Sequence, residues 1–172
     1  EVLDPTTPAG RRHRDDLSRV ADVLARLRDQ GVVVLWRPYH EMNGSWWWYS
    51  LSRDGWTEPA DFEALWRAQF TYFSEERQLD NLIWVYAANA QLNETIQDTL
   101  RYYPGDDVVD VVALDHYDSD ATTMDRCGGL TALQALDKPL GLAEIGPSRG
   151  SEASWDLPAL LEVADTHRIR FA

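Results

Sequence analysis

Val32-Val33-Val34-Leu35-Trp36-Arg37-Pro38-Tyr39-His40-Glu41-Met42-Asn43-Gly44 changes character at Arg37. The first five residues are a continuous apolar run rich in β-branched side chains, the pattern of a strand buried in a parallel sheet. From Arg37 the chain turns polar, with a cation, an imidazole, a carboxylate and an amide just past the strand's C-terminal end. The same change recurs downstream. Residues 82–86 (Leu-Ile-Trp-Val-Tyr) lead to Asn89, residues 108–114 to Asp115-His116-Tyr117, and residues 139–143 to Glu144.

Helical patterns fill the intervals. Leu17, Val20, Ala21, Val23, Leu24 and Leu27 form one apolar stripe over residues 15–30, and Gly31 ends it. Thr57 reads as an N-cap with Pro59 in the first turn, and Phe62, Leu65, Trp66, Phe70 and Phe73 mark the buried face behind it. Further helices are predicted near 94–103, 130–136 and 157–166, and residues 169–171 read as the start of one more strand. Alternation of this kind predicts right-handed βαβ units and a parallel sheet.

Two parallel architectures compete. A doubly wound sheet carries a glycine-rich phosphate loop after its first strand, and neither GxGxxG nor GxxxxGK[ST] occurs here. Polar residues at the C-terminal ends of successive strands are the habit of the (β/α)8 TIM barrel. A full barrel takes roughly 250 residues, whereas this chain has 172. Four strands and the start of a fifth predict about the C-terminal half of an α/β barrel. The opening, Glu1-Val2-Leu3-Asp4-Pro5, reads like the interior of a longer polypeptide.

Composition narrows the partners. A net charge of −13, from 29 acidic and 16 basic residues, repels nucleic acid and anionic membranes and leaves neutral ligands open. No apolar run approaches the roughly 20 residues of a membrane-spanning helix. Cys127 is the only cysteine, so no internal disulfide and no cysteine-based zinc site is possible. Tryptophan is abundant, eight residues in all, and Trp46-Trp47-Trp48 are consecutive. Three adjacent side chains do not all face one interior, so at least one is expected on a surface or cleft, where a flat aromatic face suits a sugar ring.

Glu41 and Glu144 are the acids that stand out, because a carboxylate at the end of a buried strand is costly without a partner or a task. A surface glutamate capping a helix is the ordinary alternative for either residue. Two such sites on one sheet, beside aromatics, match what glycoside hydrolysis needs: a proton donor and a nucleophile or base. No metal or cofactor is expected. His40-Glu41 lacks the HExxH spacing, and His13, His40, His116 and His167 are scattered. No GxSxG nucleophile elbow occurs, and Cys127 reads as a small buried residue.

The stretch from Arg37 to Trp46 resembles the acid/base motif of glycoside hydrolase family 26, the family of many β-mannanases. Ala143-Glu144-Ile145-Gly146 resembles that family's nucleophile motif, and the strands between are similar in order and spacing. The resemblance covers nearly the whole chain, from barrel strand 4 to the start of strand 8. It implies that residues 1–172 are a partial catalytic domain without strands 1–3. It implies a retaining endo-β-1,4-mannosidase with Glu41 as acid/base and Glu144 as nucleophile. Arg37, His40, Asn43, Trp46 and Tyr117 would contact substrate or hold the nucleophile. An acid that must keep its proton wants a less polar wall, such as the tryptophan cluster. The resemblance further implies a polysaccharide substrate, a monomeric full-length enzyme and an extracellular location. β-1,3-1,4-glucanase and β-1,3-xylanase activities occur in the same family, and a non-catalytic carbohydrate-binding descendant is the alternative from another class.

Overall fold

The computed structural model describes residues 1–52, 55–89, 98–118, 120, 122–151 and 155–170. The chain opens on α1 (Pro8–Asp29), which begins a full two turns before the predicted stripe. Thr7 caps it, its hydroxyl accepting from the Gly10 N–H at 2.9 Å, and Pro8 sits in the first turn where no N–H is needed. Gly31, at φ 75°, takes the left-handed turn that ends the helix. The stripe alone did not reveal the N-terminal extension, because Gly10 to Arg14 add charge rather than apolar periodicity.

The main sheet contains β1 (Val34–Trp36), β4 (Leu82–Asn89), β5 (Val111–Asp118) and β6 (Leu140–Pro147), side by side in that order and all parallel. A separate antiparallel pair, β2 (Leu51–Ser52) and β3 (Gly55–Trp56), lies in the loop after β1. Between the main strands run α2 (Pro59–Phe70), the short α3 (Thr123–Arg126) and α4 (Gly129–Gln134), and then α5 (Leu157–Thr166) follows β6. Glu58, not Thr57, precedes α2, and α2 continues into a π-helical turn over Thr71–Glu76. Of the helix predicted near 94–103, residues 94–97 lie outside the described residues, and 99–102 form turns rather than a helix. Residues 169 and 170 of the predicted last strand form no strand, although the Arg170 N–H donates to Leu140 O at 2.7 Å beside β6, and residue 171 lies outside the described residues.

The helices pack on one face of the sheet. Trp84, Tyr86 and Ala88 of β4, with Val112 and Leu114 of β5 and Leu140 and Leu142 of β6, meet Leu24, Phe62, Trp66, Leu133 and Leu160 there. Trp66 is fully buried, and its indole N–H is satisfied by Val108 O at 3.1 Å. The other face carries smaller side chains: Val85, Ala87, Val111 and Ala113, with Ile83 and Ala143 against them. Small residues let the sheet curl toward that inner face. The polar ends of the strands project above this inner layer.

Candidate active site

Each site residue is placed by its strand. Arg37 follows β1 on the side of Leu35, the inner face, and its guanidinium spans two carboxylates. One nitrogen donates to Asp115 Oδ2 at 2.8 Å, and the other hydrogen-bonds Glu144 Oε1. Tyr117, two residues beyond Asp115 on β5, donates its hydroxyl to Glu144 Oε2 at 3.3 Å. His40 Nε2 lies 3.8 Å from Glu144 Oε1.

Glu144 reaches this face through an irregularity. Leu114 pairs with Leu142, but Asp115 pairs with Glu144, so Ala143 is an extra residue. Strict alternation from Leu140 and Leu142 would turn Glu144 toward the helices. The bulge reverses the parity, leaving Ala143 and Glu144 both inward and Ile145 against the helical core.

Glu41 is set by strain and by hydrogen bonds. Its φ is 52° and that of Tyr39 is 50°, left-handed values that cost a non-glycine residue free energy and recur at functional sites. The Glu41 N–H donates to Ala87 O at 2.9 Å, pinning the loop to β4. Asn89 Nδ2 donates to Glu41 Oε1, and Trp46 Nε1 to Oε2, both at 2.7 Å. The wall around Glu41 is therefore polar at both oxygens, in contrast to the apolar wall expected from the tryptophan cluster.

Asn43, expected to contact substrate, is braced against Asn89. It is fully buried, donating its amide to Asn89 O at 2.6 Å and accepting from Asn89 N–H at 2.9 Å. That reciprocal pair fastens the loop after β1 to the end of β4. Trp46, by contrast, is 44% exposed, and Trp48 is more so. Trp47 stacks on Tyr49 and meets the edge of His40. Cys127 is half-buried, and its thiol donates to Met124 O at 3.0 Å.

Asp115 is the residue that sequence reasoning passed over as a member of a polar run. It is completely buried, and its Oδ1 has no partner among the described residues. Its position two residues before Tyr117, on the same face of β5, was the available signal.

Electrostatics separates the three carboxyls. Burial pushes the Asp115 carboxyl up to about 8, with Glu144 and Glu41 adding to the rise and Arg37 opposing it. For Glu144, burial also acts upward, but the Arg37 hydrogen bond and charge, with His40 and Tyr117, outweigh it and hold the group below its ordinary value. Burial lowers His40, and the neighbouring Arg37 lowers it further. One oxygen from each of Glu41, Asp115 and Glu144 lies within 4.8 Å of the other two. Three carboxylates so close resemble a cation site, but Arg37 bonds to two of them and supplies the countercharge. Chemically, the cleft offers an ionised carboxylate held by donors and a second carboxyl facing it.

A curled parallel sheet with paired carboxyls above its strand ends defines a barrel of the glycoside hydrolase type. The chain belongs to glycosyl hydrolase family 26, whose family model matches residues 1–165. A mannan endo-1,4-beta-mannosidase A and B from Caldalkalibacillus mannanilyticus is 40% identical over 153 residues, covering 87% of this chain and 29% of that protein. A mannan endo-1,4-beta-mannosidase from Bacillus subtilis is 38% identical over 165 residues, 93% of this chain and 43% of its own length. A solved Bacillus subtilis mannanase matches with a TM-score of 0.83 at 33% identity, over 99% of this chain and 49% of that one. The chain thus spans about half the length of that solved relative, and less than half of those two curated ones. The sheet is half of a TIM barrel.

Proposed function

We propose that this chain carries the catalytic half of an endo-acting β-1,4-mannan hydrolase that works by double displacement. The observation that carries the reading is the approach of Glu41 and Glu144 to within 4.8 Å, with Glu144 held by Arg37 and Tyr117. Two carboxyls about 5–5.5 Å apart suit a retaining reaction, whereas inversion needs room for a water between them. Glu144, ionised and held by Arg37 and Tyr117, is the nucleophile that attacks the anomeric carbon. Glu41 protonates the departing glycosidic oxygen and afterwards takes a proton from the water that hydrolyses the glycosyl-enzyme.

Arg37 keeps the nucleophile ionised and in place, His40 lines the cleft beside it, and Trp46 and Tyr117 offer their exposed faces to sugar. Asn43 contributes by fixing the loop that carries Glu41. Mannan is a polymer too large to enter a cell, so such an enzyme acts outside it. Names of the similar proteins support mannan as the substrate. The test is reducing-sugar release from β-1,4-mannan by the complete domain containing this chain. Binding of mannan without turnover would favour a carbohydrate-binding module instead.

A further inference from the structure

Glu41 has both oxygens occupied by donors, and a general acid needs one of them for a proton. The two donors differ in freedom. Asn89 is 1% exposed and locked through its backbone to Asn43, so its amide on Oε1 is fixed. Trp46 is 44% exposed, and its indole N–H is the bond on Oε2. An N–H donor favours the charged carboxylate, and a protonated oxygen is a poorer acceptor.

The ring of Trp46 is seated over Gly44, where any Cβ would overlap its indole carbons. Glycine at 44 is therefore what allows the ring to lie where its N–H meets Glu41. We propose that Trp46 couples sugar binding to protonation of Glu41: a sugar ring on its face draws the indole N–H off Oε2, Oε2 takes up a proton from water, and it later delivers that proton to the departing glycosidic oxygen. The proposal rests on Glu41 as acid/base. Trp46 is then a positioning residue for proton transfer as well as a platform.

The other charged or titratable groups facing Glu41 are Arg37, His40, Tyr49, Asp115, Tyr117 and Glu144. Trp46→Phe replaces none of them, so a comparison of that variant with the parent reads chiefly the loss of the indole N–H.

The experiment follows the indole N–H signals of the complete domain by NMR, assigning Trp46 from the signal lost in Trp46→Phe. Without sugar, the Trp46 proton should resonate downfield and exchange slowly. A saturating β-1,4-mannotriose should move it upfield and speed its exchange. A Trp46 signal left unmoved and protected while other cleft signals shift would overturn the coupling and leave the enzyme reading intact. No shift anywhere would defeat both, because no sugar is bound.

The second readout is the pH profile of kcat/KM on mannan. Trp46→Phe keeps an aromatic face but lacks the donor, so its alkaline limb should move up by about half to one pH unit. Gly44→Ala, which displaces the ring without deleting the indole, should move the limb the same way. Trp46→Ala should show that shift together with a raised KM. A platform role alone would raise KM in Trp46→Ala and leave the limb in place in all three variants. Thermal unfolding of each variant separates these effects from loss of the fold.

Discussion

Glu41 and Glu144 stand within 4.8 Å of each other although Glu41 follows β1 and Glu144 lies on β6, the two edge strands of the four-stranded sheet. Strands lie roughly 4.8 Å apart, so a flat sheet would separate β1 from β6 by about 14 Å. Curling of the sheet and the inward turn of both side chains close that distance. The site is thus a product of barrel curvature, with Arg37 bridging from one edge toward the other.

The assigned roles predict that the two carboxylates fail differently. Glu144→Ala should abolish glycosyl-enzyme formation for every leaving group. Glu41→Ala should retain attack on a dinitrophenyl β-mannobioside, accumulate the covalent intermediate and be accelerated by azide. Loss of acid/base help on mannan itself should cost about 10²–10⁴-fold. Product analysis decides: a β-azide from Glu41→Ala and an α-azide from Glu144→Ala fit the assignment, and the reverse exchanges the roles.

Arg37→Lys should weaken the enzyme through pH as well as rate. Lysine does not reproduce the fork that holds Asp115 and Glu144 together. Glu144 is held low by Arg37, so without the guanidinium its carboxyl rises and ionises only at higher pH. The acidic limb of kcat/KM should therefore move upward, with a loss on the order of 10²-fold at its maximum. An unmoved acidic limb would remove Arg37 from this role.

Asp115 makes stability depend on pH in an unusual direction for a carboxyl. Its value in the folded protein is about 8 against 3.8 for the free group, so the native state binds more protons between those values. Stability contributed by this group is full below about 4 and is lost as pH rises through about 8. Asp115→Asn should flatten that part of the profile, measured by denaturant unfolding across the range. A slope that persists in the variant would place its origin elsewhere.

The 172 residues on their own should associate with increasing concentration. β1 is an edge strand of three residues, and Val33 just before it and Leu35 within it are 63% and 54% exposed. An open apolar edge of this kind recruits other strands. Leu35→Lys should reduce the association seen by light scattering, while a concentration-independent monomer in the parent would contradict the expectation.

The order of strands and helices was legible because buried parallel strands write short β-branched runs, and helices write apolar residues at three- and four-residue steps. The polar switch after residues 32–36 and Glu144 after residues 139–143 pointed to the right ends of the right strands, since strand termini are where charge escapes the core. Arg37, His40, Glu41, Trp46, Tyr117 and Glu144, singled out in the sequence, lie in one connected cluster of contacts. The first turns of α1 escaped notice because capping by Thr7, rather than hydrophobic period, starts that helix.

By itself, then, the sequence determined which segments become the four parallel strands, which ends carry the polar residues, and that half of a parallel barrel is present. Tertiary structure alone decided how those ends are used. The bulge at Ala143 turns Glu144 inward, and a period-two pattern cannot announce a residue that breaks the period. Asn43 and Trp46 sit three residues apart in one polar loop, yet one is buried as a brace and the other faces the cleft. Asp115 rises toward 8 because it is sealed from water beside two other carboxyls, Glu41 after β1 and Glu144 on β6, neither of them near it in sequence. Desolvation and charge proximity are properties of three-dimensional surroundings, so they appear only when distant strands are brought together.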